Sequence, residues 1–417
     1  GTNDHIEFFG TGLVSRFTGD NVYWLYQATN AGLRIPEVGI SGGSTVTSAW
    51  NTMHFEEDKM YWEALPDEAP DDDHWFFSAV ISAPETTDIK PALQHVSGVT
   101  SSATVRIALR GINYTVDHHI QVEINGQILP DGFWSGDSQY VYSADFQQTN
   151  LVTGTNTIMI TAPGDTGAPI EQLVVNWAEI DYVRTLDSDN SFLAVRPETA
   201  GTMSFKVSGL AESDCRVFSI NNETNLSLIT NTVIQGTGPF NVTFSASLDS
   251  NTTLAVASPS GLKAPVLIQE ASLPGLRNTT NGADYIIIAH GAFVAASQPL
   301  ADFRSAQGMR TRIVDIRDIY NDFSFGIFSP YAIRNFLSYA REYWSKPAPT
   351  YVLLVGDGTY DYKDNEGSGV PTFIPVKFVH DSESWEAPSD NWYACLDGDS
   401  DFLPDMHIGR FPAQTTN

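Results

Sequence analysis

Cysteine is nearly absent. Cys215 and Cys395 are the only two in 417 residues, too few to staple a fold together, and they leave the redox compartment undecided. They fall in what read as different domains, which favours two reduced thiols over one long-range bridge. Basic residues are scarce as well, 22 against 50 acidic ones, for a formal net charge of -28. A chain this acidic repels phosphate backbones and anionic lipid, which argues against nucleic acid and passive membrane binding. Multivalent cations and saline surroundings suit it. No apolar run approaches the roughly 18 residues of a membrane span, and the Gly1 start has the form of neither a signal peptide nor an initiator Met. The expectation is a processed, exported chain, secreted or at the cell surface. Sequons at Asn113, Asn222, Asn225, Asn241, Asn251 and Asn278 would be glycosylated only in a host with that machinery.

What is present is a folded, multidomain chain, with 42% hydrophobic residues and a length that suits roughly two to four domains. Its first hundred residues mix short strand-like runs, Ile6 to Phe9 and Val22 to Tyr26, with turns and an aromatic, acidic patch from His54 to Phe77. Val105 to Leu109, Ile120 to Ile124 with an Asn125-Gly126 hairpin signal, Tyr140 to Tyr142, Thr157 to Ile160 and Leu173 to Arg184 then follow at sandwich spacing. Residues 1–185 form this first β region. Gln121-Val-Glu-Ile-Asn-Gly-Gln-Ile-Leu129, the Gly154 to Ile160 run and the Glu179 to Arg184 run resemble the jelly-roll sandwiches of galactose-binding-like modules. That likeness implies a β-sandwich and says little about sugar. Trp134 and Trp177 are candidate stacking platforms, but Trp in a sandwich is more often core or interface filler, and that reading is preferred.

Residues 186–281 read as a second small β domain, with strands at Met203 to Val207, Arg216 to Ile220, Phe240 to Ser245 and Thr253 to Ala257, and a linker from Leu273. After it the period changes. Tyr285 to Ala289 is an apolar strand; Phe293, Ala296, Leu300, Phe303 and Ala306 recur at helical spacing before a stop at Gly308. Arg312 to Ile316 is the next strand. Ser329-Pro330 opens a helix with Ile333, Phe336, Leu337 and Ala340 on one face, and Tyr351 to Val355 is a third strand, without alternation and so buried on both faces. This is a parallel βαβαβ unit over residues 282–417. The fold class is therefore multidomain β plus α/β: jelly-roll-like β-sandwiches followed by a parallel-sheet α/β subdomain.

Carboxylates dominate the end of that unit. Asp357 follows the third strand, at the rim where open α/β sheets bind ligands, and Asp397, Asp399, Asp401 and Asp405 crowd one loop. If the loop folds back over the strand, the five form an oxygen-rich calcium site, because a hard cation takes six to eight oxygens and like charges this dense need a counter-ion. The competing reading is that Asp and Gly are ordinary turn formers. The spacing is not that of an EF-hand, since position twelve from Asp397 is Ile408.

Tyr351-Val-Leu-Leu-Val-Gly-Asp357, Ser389-Asp-Asn-Trp-Tyr393, Asp397-Gly-Asp399 and Ile408-Gly-Arg-Phe411 resemble, in order and spacing, the first catalytic subdomain of the gingipain-like C25 cysteine peptidases. Arg304-Ser-Ala-Gln-Gly-Met-Arg-Thr311 and Ser329-Pro-Tyr-Ala-Ile-Arg-Asn-Phe336 match too, and the likeness covers about residues 282 to 413. The resemblance implies a caspase-like fold, a Cys thiolate activated by His, and calcium at the Val-Gly-Asp strand. Carried over, the metal set is Asp357, a carbonyl at Asp397, Asp399 or Asp401, a carbonyl at Leu403, and Asp405. In the family the catalytic His lies in a His-Gly dipeptide after a later strand and the Cys ends the next one, both beyond Ile408-Gly-Arg-Phe411. Neither His290-Gly291 nor Cys395 matches those positions, and both read as structural. His118 and His119 alternate across a strand and cannot share a metal; His54 and His74 read as packing residues.

The reading is thus the N-terminal portion of an exported, calcium-stabilised cysteine endopeptidase, inactive as this chain alone, with no catalytic residue of its own. The Cys/His dyad would lie in an associated C-terminal catalytic fragment that acts on protein or peptide substrates through an acyl-enzyme. The rival is a non-catalytic scaffold or adhesion protein whose sandwiches face glycan or neighbouring subunits. A sugar enzyme using Glu56, Glu57 or Asp58 ranks last, as these are sequence neighbours.

Overall fold

The computed structural model describes residues 6–30, 32–65, 71–72, 74–77, 79–113, 115–271, 273–381, 385–398 and 400–416. They divide into two compact units, one from residues 1–10, 27–62 and 75–268, the other from 11–26, 63–74 and 269–417.

The first unit holds two β-sandwiches. One sheet runs Gln127–Ile128, Asp117–Ile124, Ile158–Ala162, Glu85–Ile89, with Gly132–Ser135 also on Asp117–Ile124; its facing sheet runs Gln139–Gln147, Ser102–Gly111, Gln172–Thr185, Ser48–Glu56. Ladders in both are antiparallel. Val105, Ile107, Leu109, Ile120, Val122, Ile124, Ile158 and Ile160 meet between them, each fully buried, as the period-2 pattern requires. Asn125 and Gly126 take φ of 49° and 84°, the conformation of a type I′ hairpin turn. The second sandwich takes its first strands from well upstream. Glu37–Val38 pairs in parallel with Leu228 and Ile229, and Ser44–Val46 in parallel with Met203 to Phe205. The expected strands at Ile6 to Phe9 and Val22 to Tyr26 do not form. Leu25 and Tyr26 are both 80% exposed; a short apolar run makes a strand only when a distant partner supplies the ladder.

The second unit is built on β1 (Tyr285–Ala289), β2 (Thr311–Asp315), β3 (Tyr351–Val355) and β4 (His407–Phe411), all parallel, in the order β2-β1-β3-β4. Three helices accompany it: α1 (Gly291–Ala306), α2 (Ile316–Phe323) and α3 (Pro330–Tyr343). Val352 and Leu354 of β3 enter one core with Ile333, Phe336, Leu337 and Ala340 of α3; Leu353 and Val355 enter another with Phe293 and Ala301 of α1. Burial on both faces is why β3 does not alternate. Each large apolar side chain in these cores contributes on the order of 1.5–3 kcal/mol.

The helices depart from expectation in three details. Ser329 sits at the N-cap of α3 without a side-chain cap bond, so Pro330 at the first position, with φ pre-set, opens the helix. On α1 the buried stripe is Phe293, Ser297 and Ala301 while Phe303 is 57% exposed; the Ser297 hydroxyl donates to the Phe293 carbonyl at 2.9 Å, which lets a polar residue occupy the inner face. Helix α2, unforeseen, starts directly from β2 with Asp315 accepting from the Arg317 N–H at 3.0 Å. Eight residues are too few for periodicity to announce it.

Residues 11–26 and 63–74 join this unit through buried charge. Arg16 grips both oxygens of Glu386, Nη2 to Oε2 at 2.7 Å, with side chains 4% and 3% exposed, and His74 Nδ1 lies 3.6 Å from the same Oε2. Lys377 Nζ meets Asp71 Oδ1 at 2.7 Å, and Phe17 packs edge-on against Tyr362 at 5.1 Å.

Candidate metal centre

Helix α3 runs antiparallel to the strands, so its last turn ends at their amino-terminal edge. There it meets the loop that enters β4. The Asp405 N–H donates to the Ala394 carbonyl at 2.8 Å, which closes that loop. Its acidic side chains then converge, and ligand oxygens of Asp397, Asp401 and Asp405 lie within 4.8 Å of one another. The cluster is already held by protein donors. Asp401 accepts N–H bonds from Leu403 at 3.0 Å and Asp397 at 3.2 Å, which hold its carboxyl below the usual range. Asp405 accepts from the Leu396 N–H at 3.1 Å.

Counter-charge comes from α3. Arg341 spans the cluster, Nη1 to Asp397 Oδ1 at 2.7 Å and Nη2 to Asp405 Oδ1 at 2.6 Å, and the hydrogen bond to Asp397 leads the causes that raise its own pKa. Seven residues earlier, Arg334 donates to the carbonyls of Cys395 at 2.8 Å and Gly398 at 2.6 Å while its guanidinium lies over Trp392. Arginine thereby supplies part of the counter-charge that carboxylates this dense require. The spacing 334 and 341, two turns on one helix face, is the sequence signal that would have found it. Three carboxylates on one short loop remain a donor set that suits a hard cation, provided that Arg341 yields an oxygen.

Asp357 does not belong to this cluster. It follows the carboxyl end of β3, its N–H donating to Ala413 and its carboxylate accepting from Gly358 N–H and Gln414 Nε2, each at 2.9 Å. With Tyr351 beside His407 and Val355 beside Phe411 in parallel register, residues before β4 sit at the opposite edge of the sheet, roughly 20 Å away along the strands. The expected convergence over the third strand is corrected on that ground. Leu403 is 80% exposed, and Asp399 lies outside the described residues.

The two tempting nucleophile partners are also split between edges. His290 caps α1 at the carboxyl edge, Nδ1 accepting from the Ala292 N–H at 3.3 Å, and burial pulls its pKa down. Cys395 lies in the loop at the amino edge, where burial pushes its thiol up. They make no dyad. His54, read as a packing residue, instead bridges Glu56 and Glu179, each at 3.1 Å; His119 lies 2.7 Å from Asp165 and 3.2 Å from Asp131. Trp134 is stacked between His118 and Tyr140, at 4.7 and 4.8 Å, so neither of its faces is open as a platform.

Residues 278–417 match the family model of peptidase family C25. No curated protein matches the chain. Among solved structures, a dimeric latent PorU from Porphyromonas gingivalis superposes with a TM-score of 0.64 at 17% identity over 93% of this chain. This chain covers only 38% of that one. A CBM36-1 domain of a multidomain xylanase from the hindgut metagenome of Trinervitermes trinervoides and a carbohydrate-binding module CBM36 in complex with calcium and xylotriose each align with 31% of this chain, at 14% and 15% identity, covering 96% and 98% of those chains; TM-scores of 0.21 are too low to bear on the fold. The parallel-sheet unit is thus the part of the chain that is similar to peptidase family C25.

Proposed function

We propose that this chain is the N-terminal portion of an exported, gingipain-like cysteine endopeptidase, and that its Cys/His dyad comes from a further segment that docks beside β4. The observation that carries this reading is the unfinished sheet. Among the described residues β4 pairs with β3 alone, and Phe411 and Tyr351 next to it are 55% and 38% exposed. An open edge on an otherwise two-sided parallel sheet is a place for another strand and its covering helix. The chain's own two thiols, buried and with raised pKa, are poor nucleophiles. The chemistry would be attack of a thiolate on a peptide carbonyl, proton transfer from His to the leaving amine, and hydrolysis of the thioester by water.

Expression of residues 1–417 alone and with the downstream coding sequence separates the outcomes. Peptidase activity that appears only in the longer protein and is lost to a thiol blocker is the expected result. Activity of 1–417 by itself, or a longer protein without thiol-dependent activity, sinks the proposal, and the latter favours the scaffold reading.

Calcium is the second element of the proposal. Asp397, Asp401 and Asp405 would hold it, with Asp399 and the Leu403 carbonyl drawn from the same loop, and the ion would stiffen the connection into β4. Thermal unfolding in calcium and in chelator tests this. At a hundredfold excess over Kd a bound ion adds about 2.7 kcal/mol, and Arg341→Met should increase the dependence on calcium. Identical melting with and without calcium in both proteins removes the metal.

A further inference from the structure

We infer that the first sandwich carries a binding site for a neutral saccharide, centred on Phe133 and independent of the peptidase-like unit. An open cleft of about 580 Å³ lies along the outer side of the paired segments 117–119 and 133–135 and the loop at Asp165 and Thr166, within the size range of small-ligand sites. On its floor the Phe133 ring stacks on His119 at 4.3 Å with 14° between planes, yet Phe133 is 63% exposed. One face is therefore supported and the other open. The support is held by Asp165, whose Oδ1 bonds His119 Nδ1 at 2.7 Å, while Asp131 Oδ2 lies 3.2 Å from Nε2 as a charge contact.

Those carboxylates do a second job. Asp131 is 38% and Asp165 60% exposed at the side chain, and each uses one oxygen on His119, so acceptors stand on both sides of an exposed aromatic face. A flat ring flanked by acceptors matches a pyranose, which offers a face of C–H groups and a rim of hydroxyl donors. Asp117 and Asp165 line the cleft, and behind it the buried Glu171 accepts from the His119 backbone N–H at 2.8 Å. That charge disfavours uronic acids and sulfated sugars. Strand Gly132–Ser135 pairs with Asp117–Ile120 and with no other strand among the described residues, so no neighbouring strand covers the ring. Trp134, a candidate from the sequence, has both faces covered and is not the platform.

Calorimetric titration of the full 417-residue chain with xylohexaose, cellohexaose and mannohexaose, and with trigalacturonic acid as the charged control, tests the site. At least one neutral oligosaccharide should bind; Phe133→Ala should weaken it about tenfold or more, and Phe133→Tyr, which keeps the ring, should change it by less than about threefold. Phe133 is exposed, so both variants should melt with the parent. The inference is overturned if none of the three neutral sugars binds at about 5 mM, if Phe133→Ala binds like the parent, or if trigalacturonic acid binds as well as the neutral sugars. The peptidase test above neither helps nor harms this outcome.

Discussion

Replacing Arg16 by methionine probes how the second unit holds its upstream segments. Arg16 and Glu386 are 4% and 3% exposed at the side chain and share two hydrogen bonds. Removing one member of a buried pair strands the other charge, at a cost of about 3–5 kcal/mol, whereas replacing both with apolar groups is near neutral. Arg16→Met should therefore lower the urea midpoint of this unit by about 1.5–2.5 M at a typical m of about 2 kcal/mol/M. Arg16→Met with Glu386→Leu should recover most of that loss, which would mean that the stranded charge, more than the lost attraction, destabilises the single variant. Hydrogen exchange of amides in residues 330–355 reports this unit separately from the sandwiches. A single-variant shift under about 0.3 M, or a double variant as unstable as the two singles summed, refutes the reasoning.

Arg310 bonds the Asp284 carboxylate through Nη2 at 2.6 Å and through its N–H at 2.8 Å, which holds that carboxyl below its ordinary value. A depressed folded-state pKa gives stability that is present above the unfolded value of about 3.9 and lost as pH falls through the folded value. Asp284→Asn should therefore flatten the acid limb of a stability-versus-pH curve, and an unchanged limb counts against the pairing. At the end of β3, Gly356 has φ of +144° and an added Cβ would lie 2.8 Å from Phe373 Cβ. Gly356→Ala should cost about 1–3 kcal/mol, read as a lower Tm; a variant that melts with the parent shows that the strand end can relax.

The parallel unit was legible because its signals are local. An apolar run without alternation at Tyr351 to Val355 and the stripe of Ile333, Phe336, Leu337 and Ala340 each reported burial directly, and all four of the latter are fully buried. The acidic site was half legible. Loop crowding brought Asp397, Asp401 and Asp405 together, but the edge on which they sit depends on strand direction. Ile408-Gly-Arg-Phe411, treated as a motif, is itself a parallel strand; reading it so would have placed the preceding loop opposite Asp357. Long-range pairing was least visible. Neither the Arg16–Glu386 pair nor the parallel ladders of residues 37–46 leave a local trace, since each joins positions more than 150 residues apart.

Those ladders set an order of events during synthesis. Ser44 to Val46 leaves the ribosome long before Met203 to Phe205, its partner, so the second sandwich cannot close until some 160 further residues have been made, on the order of 8–30 s at usual elongation rates. For that interval a short β segment waits without its mate, beside the long strand Ser48–Glu56, whose own partner arrives with Trp177 to Thr185. Slowed translation between residues 56 and 177 would prolong this vulnerable period, and a version circularly permuted to begin after residue 46 would abolish the wait.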